Sequence, residues 1–378
     1  MKKVAPVLAA AMVMLACSLP GGLSAGSSQP PTATASPQAA TETQVPPTPV
    51  PASPTPLPPA INADTVAGLS RYLSFADGEL VRSLAFSPDG TVLAAAVGDE
   101  AGTIRLYEVA YGLPLRTLDG HESIVWGLAF SPDGRLLASA ARDKTARVWD
   151  WRVGSQLQSL DFANEVVSVA FSPDSQTLAV GGVDQWPNAA IWTYTVDSWS
   201  PGIKLAEFWN IPEIAYSPDG MLIVGGGTSR NVRVWRTTDG AEVFILYHAG
   251  QVSSVAVSPD GSLVATGLCE ASEDATSQCT RGAVWLWDLA TGKLTHKLSD
   301  FPEGVEGVAF SVDGSLVIAG SRDGTLRAYA TSDYRSLLVA TSSVGGSPGA
   351  IIAMAISSDG RFLATAGNGR INMWRVGP

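Results

Sequence analysis

Seven near-copies of one short string leave this chain few folds to choose from. They are Leu84-Ala-Phe-Ser-Pro-Asp-Gly90, Leu128-Ala-Phe-Ser-Pro-Asp-Gly134, Val169-Ala-Phe-Ser-Pro-Asp-Ser175, Ile214-Ala-Tyr-Ser-Pro-Asp-Gly220, Val255-Ala-Val-Ser-Pro-Asp-Gly261, Val308-Ala-Phe-Ser-Val-Asp-Gly314 and Met354-Ala-Ile-Ser-Ser-Asp-Gly360. Their aspartates stand at positions 89, 133, 174, 219, 260, 313 and 359, spaced by 41 to 53 residues. A period of about 45 residues is one supersecondary unit, which buries its apolar faces only against its neighbours. Within each unit, alternation such as Val81-x-x-Leu84-x-Phe86 and Ile104-x-Leu106 has the two-residue period of a strand. Ser-Pro-Asp-Gly is turn chemistry, because Pro pre-sets a negative φ. Little sequence remains for helices.

A third strand in each unit is expected to end in an aromatic: Tyr107, Trp149, Trp192, Trp235, Trp287, Tyr329 and Trp374, followed by Asp in Trp149-Asp150 and Trp287-Asp288. These residues resemble the WD-repeat family, and the resemblance covers residues 66–378 with all seven units visible. It implies an all-β chain: a seven-bladed β-propeller of four-stranded antiparallel blades around an axial channel, occupying residues 63–378. It also implies a buried hydrogen-bonded group of His, Ser or Thr, Asp and Trp. His121, Ser139, Asp143 and Trp149 match that group, as do His248, Thr266 and Trp287 in the fifth unit, where the Asp is absent. The other units mostly lack the His, so their blades are expected to rest on aromatic and aliphatic packing. The last unit stops at its third strand, and Leu69-Ser-Arg-Tyr-Leu-Ser-Phe75 is expected to supply the fourth and close the ring.

The amino-terminal 62 residues read differently. Lys2-Lys3, an apolar run from Val4 to Ala16 and a stop at Cys17 are the parts of a secretory signal, too short to span a membrane as a helix. Leu15-Ala16-Cys17 resembles a bacterial lipobox, which predicts a signal over 1–17, lipidation of Cys17 and attachment to a bacterial cell membrane in the envelope. The alternative is an ordinary signal peptide cleaved nearby, after Ala25, which would release a soluble protein. Residues 18–62 follow as a predicted disordered spacer. Pro, Ala, Thr and Ser make up 31 of its 45 residues, and such a segment lacks the apolar side chains that offset ordering entropy.

Charge excludes one class of partner. A formal charge of −11 and no basic block after Lys3 argue against nucleic acid, whose affinity rests on clustered Lys and Arg. Enzyme signals are poor as well. His121 and His248 take structural positions, and His296 has no His or Cys partner at metal-ligand spacing. Gly345-Gly-Ser347-Pro-Gly349 matches the nucleophile-elbow pattern in letters, but Pro348 and the strand at Ile351 deny it the flanking strand and helix, so it reads as a loop. Trp287-Asp288-Leu-Ala-Thr291-Gly292-Lys293 resembles a docking motif of quinoprotein propellers, yet occurs convincingly once and fits a turn. The expectation is no catalytic residue, no cofactor and no metal.

With Cys17 lipidated, Cys269 and Cys279 remain as a pair in the one long insertion, residues 268–282, and export makes a disulfide the expected outcome. Glu270, Glu273 and Asp274 in that insertion could approach a calcium ion, although three nearby acids are usually just solvated. In a four-stranded blade, the second-to-third strand loops and the blade-to-blade loops emerge on one face. That face is expected to collect the insertion, Trp186, Trp209-Asn210 entering the fourth unit, and Trp126 near the start of the second unit's inner strand. Aromatics exposed together form binding surfaces; the alternative is that they are wedges between irregular blades. Arg82, Arg142, Arg230 and Arg322 are expected near the same face at equivalent blade positions, reading an acidic or polar partner or serving as solvated loop charge. The functional expectation is a monomeric, non-catalytic binding module or scaffold for a protein or peptide, with a glycan or small-molecule sensor as the alternative and a membrane contact through lipid only.

Overall fold

A computed structural model of the protein describes residues 57–98, 102–185, 188–209, 213–227, 230–272, 279–342 and 349–377. These build seven four-stranded antiparallel sheets, arranged as the blades of a β-propeller. Blade 2 shows the plan: an inner strand Val125–Phe130, then Leu137–Ala141, Thr145–Asp150 and an outer strand Ser155–Asp161. The seven inner strands pack in succession around the axis, and the last, Ala353–Ile356, returns to the first, Val81–Phe86. The only helix among the described residues is one 3-10 turn, Val66–Gly68.

Closure joins the two ends of the sequence. The outer strand of blade 7 is Leu69–Ala76, which pairs antiparallel with Arg370–Val376, setting Leu69 opposite Val376 and Phe75 opposite Ile371. The packed structure begins further upstream than the sequence suggests. Ile61 and Val66 are buried against blades 6 and 7, the Ile61 N–H donates to Gly360 O at 2.7 Å, and the Ala63 N–H donates to Ser315 Oγ at 3.0 Å. Ile61, within the span 18–62 read as spacer, is thus packed on the propeller, where its side chain and its N–H find partners.

The core lies between blades. One cluster joins Val92, Ala94, Ile104 and Leu106 of blade 1 to Leu128, Leu137 and Trp149 of blade 2, and the other clusters repeat this sandwiching around the ring. A second strand such as Val92–Val97 is buried at every position, since both faces of its sheet are covered, and so it reads as an unbroken apolar run.

On the underside, where each chain turns from the inner to the second strand, all seven blades make the same turn. The Ser hydroxyl donates to the Asp Oδ1 at 2.5–2.6 Å. The same Ser oxygen accepts the N–H five residues on at 2.8–3.0 Å. The closing residue takes a left-handed φ of 68–71° as glycine, and Ser175 holds that conformation at 61° in blade 3. Hydroxyl and backbone donors hold the carboxyls of Asp174, Asp219 and Asp260 below the usual range, the Ser hydroxyl being the largest cause.

Blade 3 breaks the aromatic register. Trp149 pairs with Leu137 and Trp235 with Ile223, and the corresponding Leu178 pairs with Tyr194, not with Trp192. The strand is lengthened, Asn188–Thr195, so counting from its start puts Trp192 where Tyr194 belongs. Trp192 sits two residues earlier and packs on Phe162, with ring centroids 5.0 Å apart.

Candidate functional site

Five of the blades, 1, 2, 5, 6 and 7, are pinned by polar groups near their upper ends, and the means differ. In blade 2 the Trp149 indole N–H donates to Ser139 Oγ at 2.9 Å, Ser139 lies 2.7 Å from His121 Nε2, and His121 Nδ1 lies 2.7 Å from Asp143 Oδ2. Satisfying every group requires Ser139 to donate to a neutral His121 and Nδ1–H to donate to Asp143. Burial holds the His121 pKa below its ordinary value in spite of the carboxylate. Burial also opposes charge on Asp143, but hydrogen bonds from His121, the Glu122 N–H and Thr145 prevail and hold its pKa well below the carboxylate range. In blade 5 the Trp287 indole donates to His248 Nε2 itself at 3.1 Å, Thr266 lies 2.9 Å from the same nitrogen, and Nδ1 meets Leu246 O at 2.9 Å. Desolvation lowers the His248 pKa to about 4.

Blades 1 and 6, which carry Tyr in place of Trp and no His, are not held by packing alone. In blade 1 a buried Asp77, 1% exposed, takes an ion pair from Arg105 and a hydrogen bond from Tyr107. In blade 6 Asp300 accepts from the Tyr329 hydroxyl at 3.4 Å, beside Arg327. The Arg and Tyr come from the same places in their blades, while the Asp comes from upstream, Asp77 from the loop after Leu69–Ala76 and Asp300 from the outer strand Lys293–Phe301 of blade 5. The signal was an Arg two residues before each Tyr, and the Asp lies too far upstream for spacing to reveal it.

The axial channel is a cavity of about 380 Å³ lined by inner strands of all seven blades. Arg82, Trp126, Ser253 and Glu306, near the starts of those strands, form part of its upper ring. The Arg82 guanidinium lies over the Trp126 indole, 4.9 Å from the centroid, and Glu306 pairs with Arg322 at 2.7 Å. One residue deeper stand Ser83, Gly127, Ser168, Glu213, Ser254, Gly307 and Ala353. Ser83, Ser168 and Ser254 each accept a backbone N–H from the next blade, at 3.2, 3.0 and 3.1 Å, from Leu128, Ile214 and Val308. Glu213 makes the same rung to the Val255 N–H at 2.8 Å. Burial pushes its carboxyl up to about 7, against the hydroxyl of Ser254 and the N–H of Val255, which favour the charged form. Sequence reasoning missed Glu213 because only alignment of the inner strands shows a carboxylate among serines, glycines and an alanine.

The sequence-predicted surface residues share the upper end of the propeller but not one position. Arg142 and Arg322 occupy the same turn site, both exposed, and Arg142 lies 3.7 Å from Glu165. Arg230 sits two residues further on, in the left-handed slot that Lys144 fills in blade 2, and Arg82 is on an inner strand. The four are therefore not equivalent, since equivalence was judged by distance from the repeat string and not by strand. Trp209 ends the outer strand of blade 3, Pro201–Trp209, opposite Asn188, and does not enter blade 4. Trp126 lines the axis while Trp209 is on the outermost strand, so the two are separated radially. Trp186, Asn210, Glu273, Asp274, Ser347 and Cys17 lie outside the described residues.

The insertion of blade 5 is a lengthened hairpin, Leu263–Ser272 and Cys279–Asp288, with Cys269 and Cys279 disulfide-bonded and their Cα atoms 5.7 Å apart. Glu270 is paired with Arg281 at 3.0 Å. His296 lies on the outer strand of blade 5, stacked on Tyr334 at 4.1 Å between centroids. Asp288 of the quinoprotein-like string accepts from the Thr291 hydroxyl and N–H, both at 2.7 Å, as the cap of an ordinary strand-to-strand turn.

The family model for the WD domain, G-beta repeat matches seven segments: residues 71–108, 112–150, 154–186, 209–236, 240–278, 292–329 and 338–375. The chain belongs to the WD-repeat family. Among curated proteins, this WD-repeat chain is similar to a serine-threonine kinase receptor-associated protein of Gallus gallus, 28% identical over 284 residues that cover 67% of this chain and 80% of that one. It is similar to transcription factor unc-37 of Caenorhabditis elegans, 28% identical over 51% of this chain and 31% of that protein. Protein groucho of Drosophila melanogaster is 29% identical over 49% of this chain and 24% of its own length. The chain thus spans less than a third of the last two.

Proposed function

We propose that this WD-repeat protein is a non-catalytic scaffold, held outside a bacterial cell membrane by lipid on Cys17, that captures a protein partner on the face where the axial channel opens. The observation that carries the reading is where the blades differ. Their underside turns are the same seven times over, whereas the upper face combines a lengthened hairpin in blade 3, a disulfide-stapled hairpin in blade 5 and a channel mouth carrying Arg82 and Trp126. A repeat needs uniformity where it folds and variation where it recognises. One relative is named for association with a serine-threonine kinase receptor, which fits an interaction role. The lipidation and the export rest on the amino-terminal sequence.

The first described residues also bear on presentation. Ile61 and Ala63 bond to the underside turns of blades 7 and 6, at the end of the propeller away from the channel mouth. Incorporation of labelled fatty acid into the wild-type chain but not into Cys17→Ser, with the variant released from the membrane fraction, is the expected result. Equal labelling of both, or an unchanged distribution, rejects the anchor. For the binding face, alanine at Arg142, Arg230 and Arg322 together should weaken partner capture at least tenfold with an unchanged melting transition, and full capture by that variant rejects the face.

A further inference from the structure

Glu213 is a carboxylate set in the wall of the axial channel with no cation paired to it among the described residues. At its position the other six blades carry Ser, Gly or Ala, and the rung to the next blade is made by serine where a side chain makes it at all. A glutamate is not needed for that bond. The strands packed against it, Val166–Phe171 of blade 3, Leu222–Gly227 of its own blade and Gln251–Val257 of blade 5, carry no ionisable side chain. Its own strand, Glu213–Tyr216, adds only Tyr216. The other charged groups lining the channel are Arg82, which stacks on Trp126, and Glu306, which pairs with Arg322. No ion pair of Glu213 exists among the described residues; its carboxylate accepts only the Val255 N–H and the Ser254 hydroxyl, neither of which carries a charge.

We infer that Glu213 is the receptor for a guanidinium or ammonium group that a protein partner inserts into the channel. Three features fit that occupant. The carboxylate supplies a charge-assisted acceptor whose strength grows in a channel sheltered from bulk water. The second free polar group is the indole N–H of Trp126 in the upper ring, buried without an acceptor and suited to a peptide carbonyl arriving with the basic side chain. The chain's formal charge of −11 draws cations toward the molecule as a whole. The inserted cation also answers the cost of the site: burial makes the empty carboxylate reluctant to ionise near neutrality, and a paired cation restores the charged form, so occupancy expels a proton.

The inference rests on the upper face being the docking face, and its test needs no partner. The probes are the blocked tripeptide acetyl-Gly-Arg-Gly-amide and its glutamine counterpart, titrated calorimetrically into the wild-type protein and Glu213→Gln, at pH 8 and pH 5.5. The amide keeps the carbonyl that accepts from Val255, so the rung survives. The expected result is binding of the arginine peptide by the wild type, about thirtyfold weaker at pH 5.5 than at pH 8, with proton release on binding at pH 5.5, and at least tenfold weaker binding by Glu213→Gln at pH 8. The glutamine peptide should not bind. Because an amide could still perturb the wall, Glu213→Ser, which installs the rung of the other blades, should give the same loss with a normal melting transition. Binding that is the same in all three proteins, or independent of pH, overturns the assignment. Peptide binding as expected while a partner ignores Arg142, Arg230 and Arg322 would keep this site and reject the docking face.

Discussion

The two ends of the propeller are built by opposite rules. At the underside one turn is written seven times, with the same Ser-to-Asp hydrogen bond at 2.5–2.6 Å and the same left-handed residue, even where Ser175 replaces glycine. At the upper end no two solutions need agree. Blade 2 is pinned by a Trp–Ser–His–Asp chain, blade 5 by a Trp–His pair, and blades 1 and 6 by Asp, Arg and Tyr. Blade 7 makes do with the Trp374 indole donating to Thr365 at 3.0 Å. Repetition fixes the unit's geometry from below, and the upper end is free to vary provided some buried polar group finds its partners.

The largest effect should come from breaking the ring itself. Deleting residues 66–76 removes the strand paired to Arg370–Val376 and leaves that strand as an unpaired edge. The single cooperative melting transition should be lost or broadened, and a variant that melts as the wild type does would contradict closure. Next in size are the upper pegs. Asp143→Ala leaves His121, Thr145 and the Glu122 N–H without their acceptor, and Asp77→Ala leaves a half-buried Arg105 with only the exposed Glu79, at 3.5 Å, as its carboxylate. Each should cost about 2–3 kcal/mol in denaturant unfolding despite their different chemistry. A negligible effect at Asp77 would return blade 1 to packing alone. Smaller again is Ser131→Ala in one underside turn, at about 1 kcal/mol, and the same change at Ser258 should match it because the turns are equivalent. Unequal costs would mean that the underside is less uniform than its geometry.

Stability should also depend on pH with two opposing slopes. His248 titrates near 4 in the folded protein, below its ordinary value of 6.5, so the folded state takes up fewer protons than the unfolded state and stability falls as pH drops through that window. Asp143, held well below the ordinary carboxylate range, adds to the loss at still lower pH. Glu213 is raised from 4.5 to about 7, so its contribution has the other sign: stability falls as pH rises through that interval. Glu213→Gln should therefore gain on the wild type between pH 5 and pH 8, by about 2 kcal/mol after allowance for channel water. A constant difference across that range would show that the carboxyl is not buried as described.

Much of this was legible from residues. The repeat string, its spacing and a missing last strand lead to the ring and to its closure by Leu69–Ala76. The blade 2 group is readable because its four members keep fixed offsets. What escaped was what offsets do not carry. Tyr194 was passed over because the lengthened hairpin of blade 3 moves the register by two. Trp209 falls on blade 3 and not at the start of blade 4 because the outer strand there runs to nine residues, as in blade 5, and ends on that tryptophan. Asp77 belongs to a loop, and its pairing with Arg105 depends on how blade 1 meets the chain end. Glu213 differs from a serine only once the seven inner strands are laid side by side.

The central claim is that recognition belongs to the varied end and not to the repeated one. Photo-crosslinking in intact cells tests it most directly, with a benzophenone side chain placed at exposed position 142 on the upper face or at exposed position 262 on the underside of blade 5. The account predicts a discrete adduct from position 142 and none from position 262. An adduct from position 262 alone, or equal adducts from both, would contradict it.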